Sequence, residues 1–283
     1  MIHVVSVSGG KDSTAMWLWA LRTGLSPLVP LFCDTRWESR ITYDYLDYLQ
    51  SVLGPIRRVD SEGFEERTRR SGTFPSRARK WCSPELKVQM CAEEIGRLRE
   101  ESDDDIEVLV GFRRDESPKR GDATLTPERE WSAEYDCEVW RPILEWTIAD
   151  VIAEHHRAHV SLNPLYLAGA ERVGCWPCIH ACKAELRLIG EMDPERIDKI
   201  ADIEAAIGQT MFVLEKPCRN GEDREKIPTP IRDVIVWART SHGGTKLALF
   251  PEASGCSRWG ICEPPARDAV GERPPAHRTG PRA

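Results

Sequence analysis

The chain has 283 residues, of which 41% are hydrophobic and 30% are charged, proportions typical of a soluble globular protein. We find no apolar run as long as a membrane span and no secretory signal before the first strand, so we expect a cytoplasmic protein with no membrane partner. The net charge of −7 excludes a general attraction to nucleic acid. Arginine and lysine are nevertheless concentrated between Arg57 and Lys80. This basic segment is either a solvated surface or a clamp for phosphate, sulfate or a nucleic-acid backbone.

The first predicted strand, residues 3–7, leads through a glycine turn into an apolar helix over residues 13–23. Adjacent glycines let a ligand approach the backbone N–H groups of the helix N-terminus, where the helix dipole is positive. One lysine adds a cation and three hydroxyl groups add donors, which predicts a cradle for phosphate or pyrophosphate. The alternative is an ordinary junction capped by Ser8 or Asp12. The residues of this predicted cradle are Ser8, Gly9, Gly10, Lys11, Asp12, Ser13 and Thr14.

The glycine spacing excludes two common phosphate motifs. A Walker A loop has four residues between its glycines, and GxGxxG has a different spacing again. The segment Ser8–Ser13, SGGKDS, instead resembles the pyrophosphate-binding loop of the ATP pyrophosphatase superfamily, whose members cleave ATP between the α and β phosphates.

Strands alternate with helices over the first half of the chain, which predicts an α/β fold with a doubly wound parallel sheet. Ligands of such sheets bind beyond the carboxyl ends of the strands. We therefore expect the glycine turn, Asp34, Gly111 and Arg113 to converge on one pocket. The predicted elements after the first helix are strands at 28–32, 56–59 and 106–110 and helices at 40–53 and 84–99.

The second half of the chain has a different composition. Residues 115–137 are predicted to form a long loop, and Thr147 with Asp150 should cap the helix that follows. We place a domain boundary near residue 165, between a nucleotide-binding domain (1–165) and a cysteine-rich, mainly helical region (166–262). In that region we expect helices at 182–190, 194–207 and 230–240 and no strands. The proline- and arginine-rich tail, 263–283, should be disordered.

Ten cysteines are many for a cytoplasmic protein, in which they indicate metal ligands or reactive thiols. Cys175 and Cys178 form a CxxC pair, and two further thiolates would complete a four-coordinate metal or cluster. The remaining cysteines, Cys33, Cys91, Cys137 and Cys218, are interpreted as small apolar or surface residues. The predicted ligands are Cys82, Cys175, Cys178, Cys256 and Cys262, with Cys182 as an alternative.

The spacing of the cysteines does not choose between a 4Fe-4S cluster and zinc. A thioredoxin-like redox pair is the main rival interpretation, but it requires a preceding βαβ unit. Four histidines are alternative zinc ligands, although a single histidine on a helix is usually structural. Nearby cations, Arg79, Lys80 and Lys183, should lower the thiol pKa values. The histidines are His155, His156, His159 and His180.

Several separated segments together resemble the phosphoadenosine-phosphosulfate (PAPS) reductase family of the adenine-nucleotide α-hydrolase superfamily. A phage and bacterial branch with C-terminal cysteines is most similar, and relatives with 4Fe-4S clusters include adenylyl-sulfate reductases and the ATP pyrophosphatases of DNA phosphorothioation. The matching residues are Ser8–Ser13, Asp34-Thr35, Trp81-Cys82 with Leu86-Lys87, Gly111-Phe112-Arg113 with Glu116-Ser117, Arg141-Pro142-Ile143 with Trp146-Thr147, and Ser241–Gly244.

The chain departs from the reductases of that family at their reactive cysteines. It lacks the ECGLH-like motif of PAPS reductases, and Trp81-Cys82 stands where adenylyl-sulfate reductases have adjacent cysteines. Its complete glycine loop is what a protein needs to hold the β and γ phosphates of ATP. The resemblance therefore implies an ATP pyrophosphatase that adenylylates an acceptor, with Lys11, Asp12 and Arg113 as catalytic residues.

The implied cofactors are ATP, Mg²⁺ placed by Asp12 or Asp34, and a 4Fe-4S cluster or zinc. Arg141 should join Arg113 at the α-phosphate or the acceptor, which is a nucleic acid or a small molecule. Sulfur transfer implies a donor such as a cysteine desulfurase. Two alternatives remain: a sulfonucleotide reductase with Cys82 or Cys262 as nucleophile, and a non-catalytic nucleotide-binding subunit.

Overall fold

The computed structural model describes residues 1–116, 125–217 and 224–241. A π-helical turn, Pro84–Val88, precedes the fourth α-helix, and a 3-10 turn, Arg114–Glu116, follows the fourth strand. The strands are β1 (Ile2–Ser6), β2 (Leu28–Asp34), β3 (Arg57–Asp60), β4 (Ile106–Leu109), β5 (Glu130–Ser132), β6 (Cys137–Trp140), β7 (Phe212–Pro217) and β8 (Arg224–Thr229). The α-helices are α1 (Lys11–Arg22), α2 (Arg40–Leu53), α3 (Phe64–Ser71), α4 (Gln89–Glu101), α5 (Ile148–Ala158), α6 (Pro164–Leu167), α7 (Lys183–Met192), α8 (Pro194–Ile207) and α9 (Ile231–Arg239).

The main sheet has six strands in the order β3-β2-β1-β4-β6-β5. All neighbouring strands are parallel except β5 and β6. The chain proceeds outward from β1 to β3 and then returns to place β4 on the other side of β1. The order therefore reverses between β1 and β4, and the carboxyl ends of these strands form the crevice in which such folds bind ligands. The predicted doubly wound α/β fold is confirmed.

Local sequence accounts for the central elements. All four residues of β4 are buried, as is usual for a parallel strand covered on both faces. The Ser39 side chain caps α2, and the predicted capping box of Thr147 and Asp150 begins α5. No helix in the described residues is long and apolar enough to cross a membrane.

Several features differ from the sequence-based expectation, since α3, α6 and β6 were not predicted. A short strand, β5, lies within the segment predicted as a continuous loop. The expectation that strands are absent after residue 163 was wrong, because β7 and β8 form an antiparallel ribbon there. The region is otherwise helical over its described residues, as predicted.

One hydrophobic core joins the two halves of the chain. It contains Trp37, Phe64 and Trp81 from the first half and Ile200 and Val234 from the C-terminal helices, all of them buried. The cysteine-bearing segment, 173–182, packs against the same cluster through Val173, Cys175 and Ile179. This core fixes the position of the cysteine segment relative to the carboxyl ends of the strands.

Candidate active site

The glycine turn connects β1 to α1 with a backbone that only glycine adopts easily. Gly9 has φ +72°, and a Cβ at that position would lie 3.0 Å from Cγ2 of Thr42. Gly10 is the N-cap of α1, and no side chain caps the helix there. Gly10 has no side chain that could occupy the N-terminal N–H groups of α1, which suits an anion site, although the Lys11 N–H donates to the Tyr166 hydroxyl.

The two predicted serines stabilise the turn. The Ser8 and Ser13 hydroxyl oxygens are 3.1 Å apart, and the Ser13 hydroxyl donates to the Gly10 carbonyl over 3.1 Å. The Ser8 N–H donates to Ser13 Oγ over 3.2 Å. Ser8 is half-buried, whereas Thr14 is fully buried. Of the three predicted hydroxyl donors, Ser8 is therefore the most accessible to a ligand.

Three further residues, which no motif marked, hold this turn from the far end of the sequence. Tyr166 accepts a hydrogen bond from the Lys11 N–H over 3.1 Å, and Asn163 donates from Nδ2 to the Gly9 carbonyl over 3.1 Å. His155 places Nε2 2.9 Å from the Lys11 carbonyl. All three are buried, and burial lowers the pKa of His155, so its neutral form is favoured. This histidine supports the turn, as expected for a structural residue.

A buried carboxylate holds two cations at the start of α1. Asp12 Oδ1 accepts from Arg113 Nε over 2.6 Å, and Asp12 Oδ2 lies 3.0 Å from Lys11 Nζ. All three side chains are less than a tenth exposed. Burial tends to raise the pKa of Asp12, but the charges and hydrogen bonds of Lys11 and Arg113 outweigh it and hold the pKa below its usual value. The structure therefore brings together the three predicted catalytic residues.

Gly111 permits the close approach that places Arg113 beside α1. A Cβ on Gly111 would lie 2.9 Å from the Ser13 Cα and 3.1 Å from the Asp12 carbonyl oxygen. Any side chain would therefore push the end of β4 away from the first turn of α1. The missing side chain of Gly111 thus allows the end of β4 to lie against the first turn of α1.

Asp34, at the carboxyl end of β2, is held by its own loop. Its Oδ1 accepts from the Arg36 N–H and from the Tyr43 hydroxyl, each over 2.7 Å. Because both oxygens of Asp12 contact cations, Asp34 suits the predicted Mg²⁺ better than Asp12 does.

Arg141, predicted at the α-phosphate or the acceptor, pairs with Glu130 of β5 over 2.6 Å.

The cysteine segment lies against the glycine turn. The Val173 carbonyl oxygen would be 3.8 Å from a Cβ on Gly10. The Trp176 N–H donates to the Trp37 carbonyl over 2.8 Å, and the Trp37 indole donates to the Pro177 carbonyl over 3.2 Å. Cys82 and Cys175, two of the predicted ligands, pack against the same hydrophobic core.

The described residues do not form a finished metal site. No group of three or more His, Cys, Asp or Glu residues in the described ranges has the arrangement that holds a metal ion. The cavity beside Cys175 and Cys178, which Arg172 and Glu185 also line, measures about 10 Å³. That volume is about that of one water-sized probe, and Cys82 does not line this cavity. Two predicted ligands, Cys256 and Cys262, lie outside the described residues, as do Cys218 and the segment 242–244.

The expectation that nearby cations lower the thiol pKa values was wrong for three cysteines. Burial, together with Cys175 and Cys178, raises the pKa of Cys82, and the opposing effect of Lys80 is smaller. Burial also raises the pKa of Cys175 and of Cys182. Lys183, another of the cations expected near the thiols, donates to the Thr240 carbonyl over 2.7 Å.

The geometry agrees with a comparison against protein families, in which residues 2–181 match the phosphoadenosine phosphosulfate reductase domain. The chain belongs to this family. The resemblance inferred from the glycine turn, Asp34 and Arg113 is thereby confirmed at the level of the family.

Relatives of the family include proteins without a described activity. The chain is 32% identical, over 93% of its length and 97% of the relative's, to an uncharacterised 37.8 kDa protein of Escherichia phage 186. It is 30% identical over 70% of its length to an uncharacterised protein of Methanocaldococcus jannaschii, of which it spans 46%. A shorter match, 36% identity over 26% of this chain and 27% of the relative, is to an adenosine 5'-phosphosulfate reductase of Allochromatium vinosum.

Two solved structures also resemble the model at low sequence identity. One is the PAPS reductase of Candida auris in a phosphate complex, with a TM-score of 0.45, 17% identity and coverage of 62% of this chain and 81% of that one. The other is the FMN adenylyltransferase of Candida glabrata in complex with FAD and inorganic pyrophosphate, with a TM-score of 0.41, 17% identity and coverage of 62% and 54%.

Proposed function

We propose that this chain cleaves ATP between the α and β phosphates and transfers the adenylyl group to an acceptor. The observation that carries the proposal is the complete glycine turn with Lys11, Asp12 and Arg113 buried together at the N-terminus of α1. Hydrogen bonds hold the glycine turn, and two cations lie beside it. The turn is therefore pre-organised to stabilise the charge on a leaving pyrophosphate.

The proposed reaction displaces pyrophosphate at the α-phosphorus. An acceptor oxygen attacks that phosphorus, the bond to the oxygen bridging the α and β phosphates breaks, and pyrophosphate leaves with the bonding electron pair. The α1 N-terminus and Lys11 stabilise the charge on the leaving group, while Asp12 keeps Lys11 and Arg113 in place. Mg²⁺ bound at Asp34 would neutralise part of the phosphate charge. No step of this proposal uses a cluster or zinc, and the thiols near the turn remain candidates for later sulfur transfer from a donor such as a cysteine desulfurase.

The test is release of pyrophosphate from ATP and Mg²⁺ by wild type and by Lys11→Ala, with and without DNA, tRNA or small-molecule acceptors. We expect the variant to lose at least about 100-fold in rate, since removing one group that stabilises developing charge has that effect. Arg40→Ala is the control, because Arg40 is an exposed cation whose ion-pair partner among the described residues is Asp44 on α2. Equal rates in wild type and Lys11→Ala would overturn the proposal, and ATP binding without cleavage would favour the nucleotide-binding subunit.

The second candidate function is sulfonucleotide reduction, favoured by the match to the adenosine 5'-phosphosulfate reductase of Allochromatium vinosum. In this reaction Cys82 or Cys262 attacks the sulfur of a sulfonucleotide, and the S–O bond to the phosphate breaks as the nucleotide leaves. Reduced thioredoxin then releases sulfite from the S-sulfocysteine, and its dithiol is oxidised to a disulfide. Sulfite formation from adenylyl-sulfate or PAPS, with ATP left intact under every acceptor condition, would replace the first proposal with this one. Iron and zinc analysis of anaerobically purified protein tests the predicted metal site in the same samples.

A further inference from the structure

The arginines at the start of the basic segment between Arg57 and Lys80 all have acidic partners. Their partners come from α2, from α4, from the turn that begins at Pro84, and from α3 and the residues before it. Arg57 pairs with Glu94 and Glu101, Arg58 with Asp47, Arg67 with Glu85, Arg69 with Glu65 and Arg70 with Glu62. These five guanidinium groups are neutralised by the protein itself, so they offer little attraction to a polyanion.

The last three cations of the segment are different. Arg77, Arg79 and Lys80 are exposed, and their side chains form no hydrogen bond or ion pair with another described residue. We call residues 75–80 the basic loop. Three positive charges within four residues repel one another, and an anion with several charges would relieve that repulsion.

The basic loop is held in place by the core on both sides. Phe74 before it and Trp81 after it are buried, and both rings pack on Phe64, with centroids 6.4 and 5.7 Å away. Within the loop the Ser76 N–H donates to the Arg79 carbonyl, and the Arg79 N–H donates to Ser76 Oγ, each over 3.1 Å. The three cations are therefore presented on a structured turn, which lowers the entropy lost on binding.

The loop is also adjacent to the candidate active site. Cys82 follows it by two residues and packs against the same hydrophobic core as Cys175. Phe64 also stacks on Trp37, with ring centroids 4.6 Å apart, and Trp37 contacts the cysteine segment through Pro177. A polyanion bound to the basic loop would lie close to Cys82.

We propose that the basic loop binds the phosphate backbone of a nucleic acid and presents that strand to the active site as the acceptor; this rests on the proposed function. Guanidinium groups match phosphate geometry well, and successive phosphates supply the several anions that three adjacent cations need. No large apolar side chain is exposed on the loop, which disfavours insertion into a membrane. No aromatic side chain is exposed there either, so binding would depend on the backbone and not on base sequence.

The test is fluorescence anisotropy of labelled single-stranded DNA, RNA and duplex DNA with the full-length protein at several salt concentrations and without ATP. The test variant is Arg77→Ala/Arg79→Ala/Lys80→Ala. We expect its binding to weaken and the slope of log affinity against log salt to fall by about 1 for each cation removed. The control is Arg58→Ala/Arg69→Ala/Arg70→Ala, which removes the same charge from cations that already have partners, and we expect it to bind like wild type.

Several outcomes would overturn the inference. They are wild-type affinity and salt slope in the basic-loop variant, equal losses in both triple variants, and displacement of the probe by polyglutamate or anionic vesicles as readily as by unlabelled nucleic acid. Lys11→Ala separates this inference from the proposed function, because it should bind nucleic acid normally while failing to release pyrophosphate. If the protein releases pyrophosphate but does not bind nucleic acid, this inference is wrong and the proposed function stands.

Discussion

Asp12 is the residue on which the charge arrangement of the site depends. Each of its carboxylate oxygens contacts a different cation, and the side chains of all three residues are nearly inaccessible to solvent. A buried ion pair contributes little net stability, but removing one partner leaves an uncompensated charge. We therefore propose that Asp12 positions Lys11 and Arg113, while its predicted role at Mg²⁺ stays a prediction.

We predict that Asp12→Asn lowers the free energy of unfolding by about 3–5 kcal/mol, since two buried cations lose their carboxylate. Chemical denaturation measures this. The Asp12 pKa is depressed in the folded state, so its contribution is complete above about pH 4, the unfolded value, and is lost as the pH falls through the folded value. The variant should therefore lose less stability than wild type on acidification below pH 4. Equal stability at neutral pH would contradict the prediction.

At the scale of elements, the site depends on how closely the end of β4 approaches the first turn of α1. We predict that Gly111→Ala destabilises the protein by about 1–3 kcal/mol, because its Cβ would meet the backbone of Asp12 and Ser13, and backbone atoms cannot rotate away. Displacement of Arg113 should also reduce pyrophosphate release. Thermal unfolding and the activity assay give the two readouts.

Gly96→Ala is the matched control for this substitution. Gly96 lies within α4, and a Cβ there meets nothing within 4 Å. Alanine in a helix interior should stabilise the chain by up to about 1 kcal/mol. Similar effects of the two substitutions would show that the contact between β4 and α1 is not tight.

Elements with strong local signals were predictable from the sequence, and those without were not. The capping box of α5 and, apart from α3, the order of strands and helices through β4 follow from short-range patterns of burial and capping. The ribbon of β7 and β8 gave no such signal, because Pro217 and Pro228 lie within its strands and proline is a weak indicator of strand structure.

The candidate site shows the same division. The glycine turn is a contiguous motif, and the topology of a parallel sheet explains why Arg113 lies near it. The direct pairing of Arg113 with Asp12 joins residues 101 positions apart, and no local pattern encodes it. His155, Asn163 and Tyr166 belong to no motif, and their contacts with the turn arise only from tertiary packing.

At the scale of the whole molecule, one core crosses the boundary predicted near residue 165. We predict that a fragment of residues 1–165 unfolds at a lower temperature than a longer fragment and binds hydrophobic dyes, because Trp37, Phe64 and Trp81 lose the C-terminal helices that cover them. A fragment of residues 1–241, which keeps that cover, is the control. Calorimetry and dye fluorescence distinguish them, and a cooperative transition of the shorter fragment near that of the longer one would contradict the prediction.

The hydrogen bond between Lys11 and Tyr166 has a consequence for biosynthesis. Its partners are separated by 155 positions, so the glycine turn leaves the ribosome long before the tyrosine that secures it. At about 5–20 residues per second, that interval lasts roughly 8–30 s. During this time the nascent chain has the complete nucleotide motif without its supporting contacts. Binding of ATP would then report that synthesis has passed residue 166 and that the two ends of the domain have met.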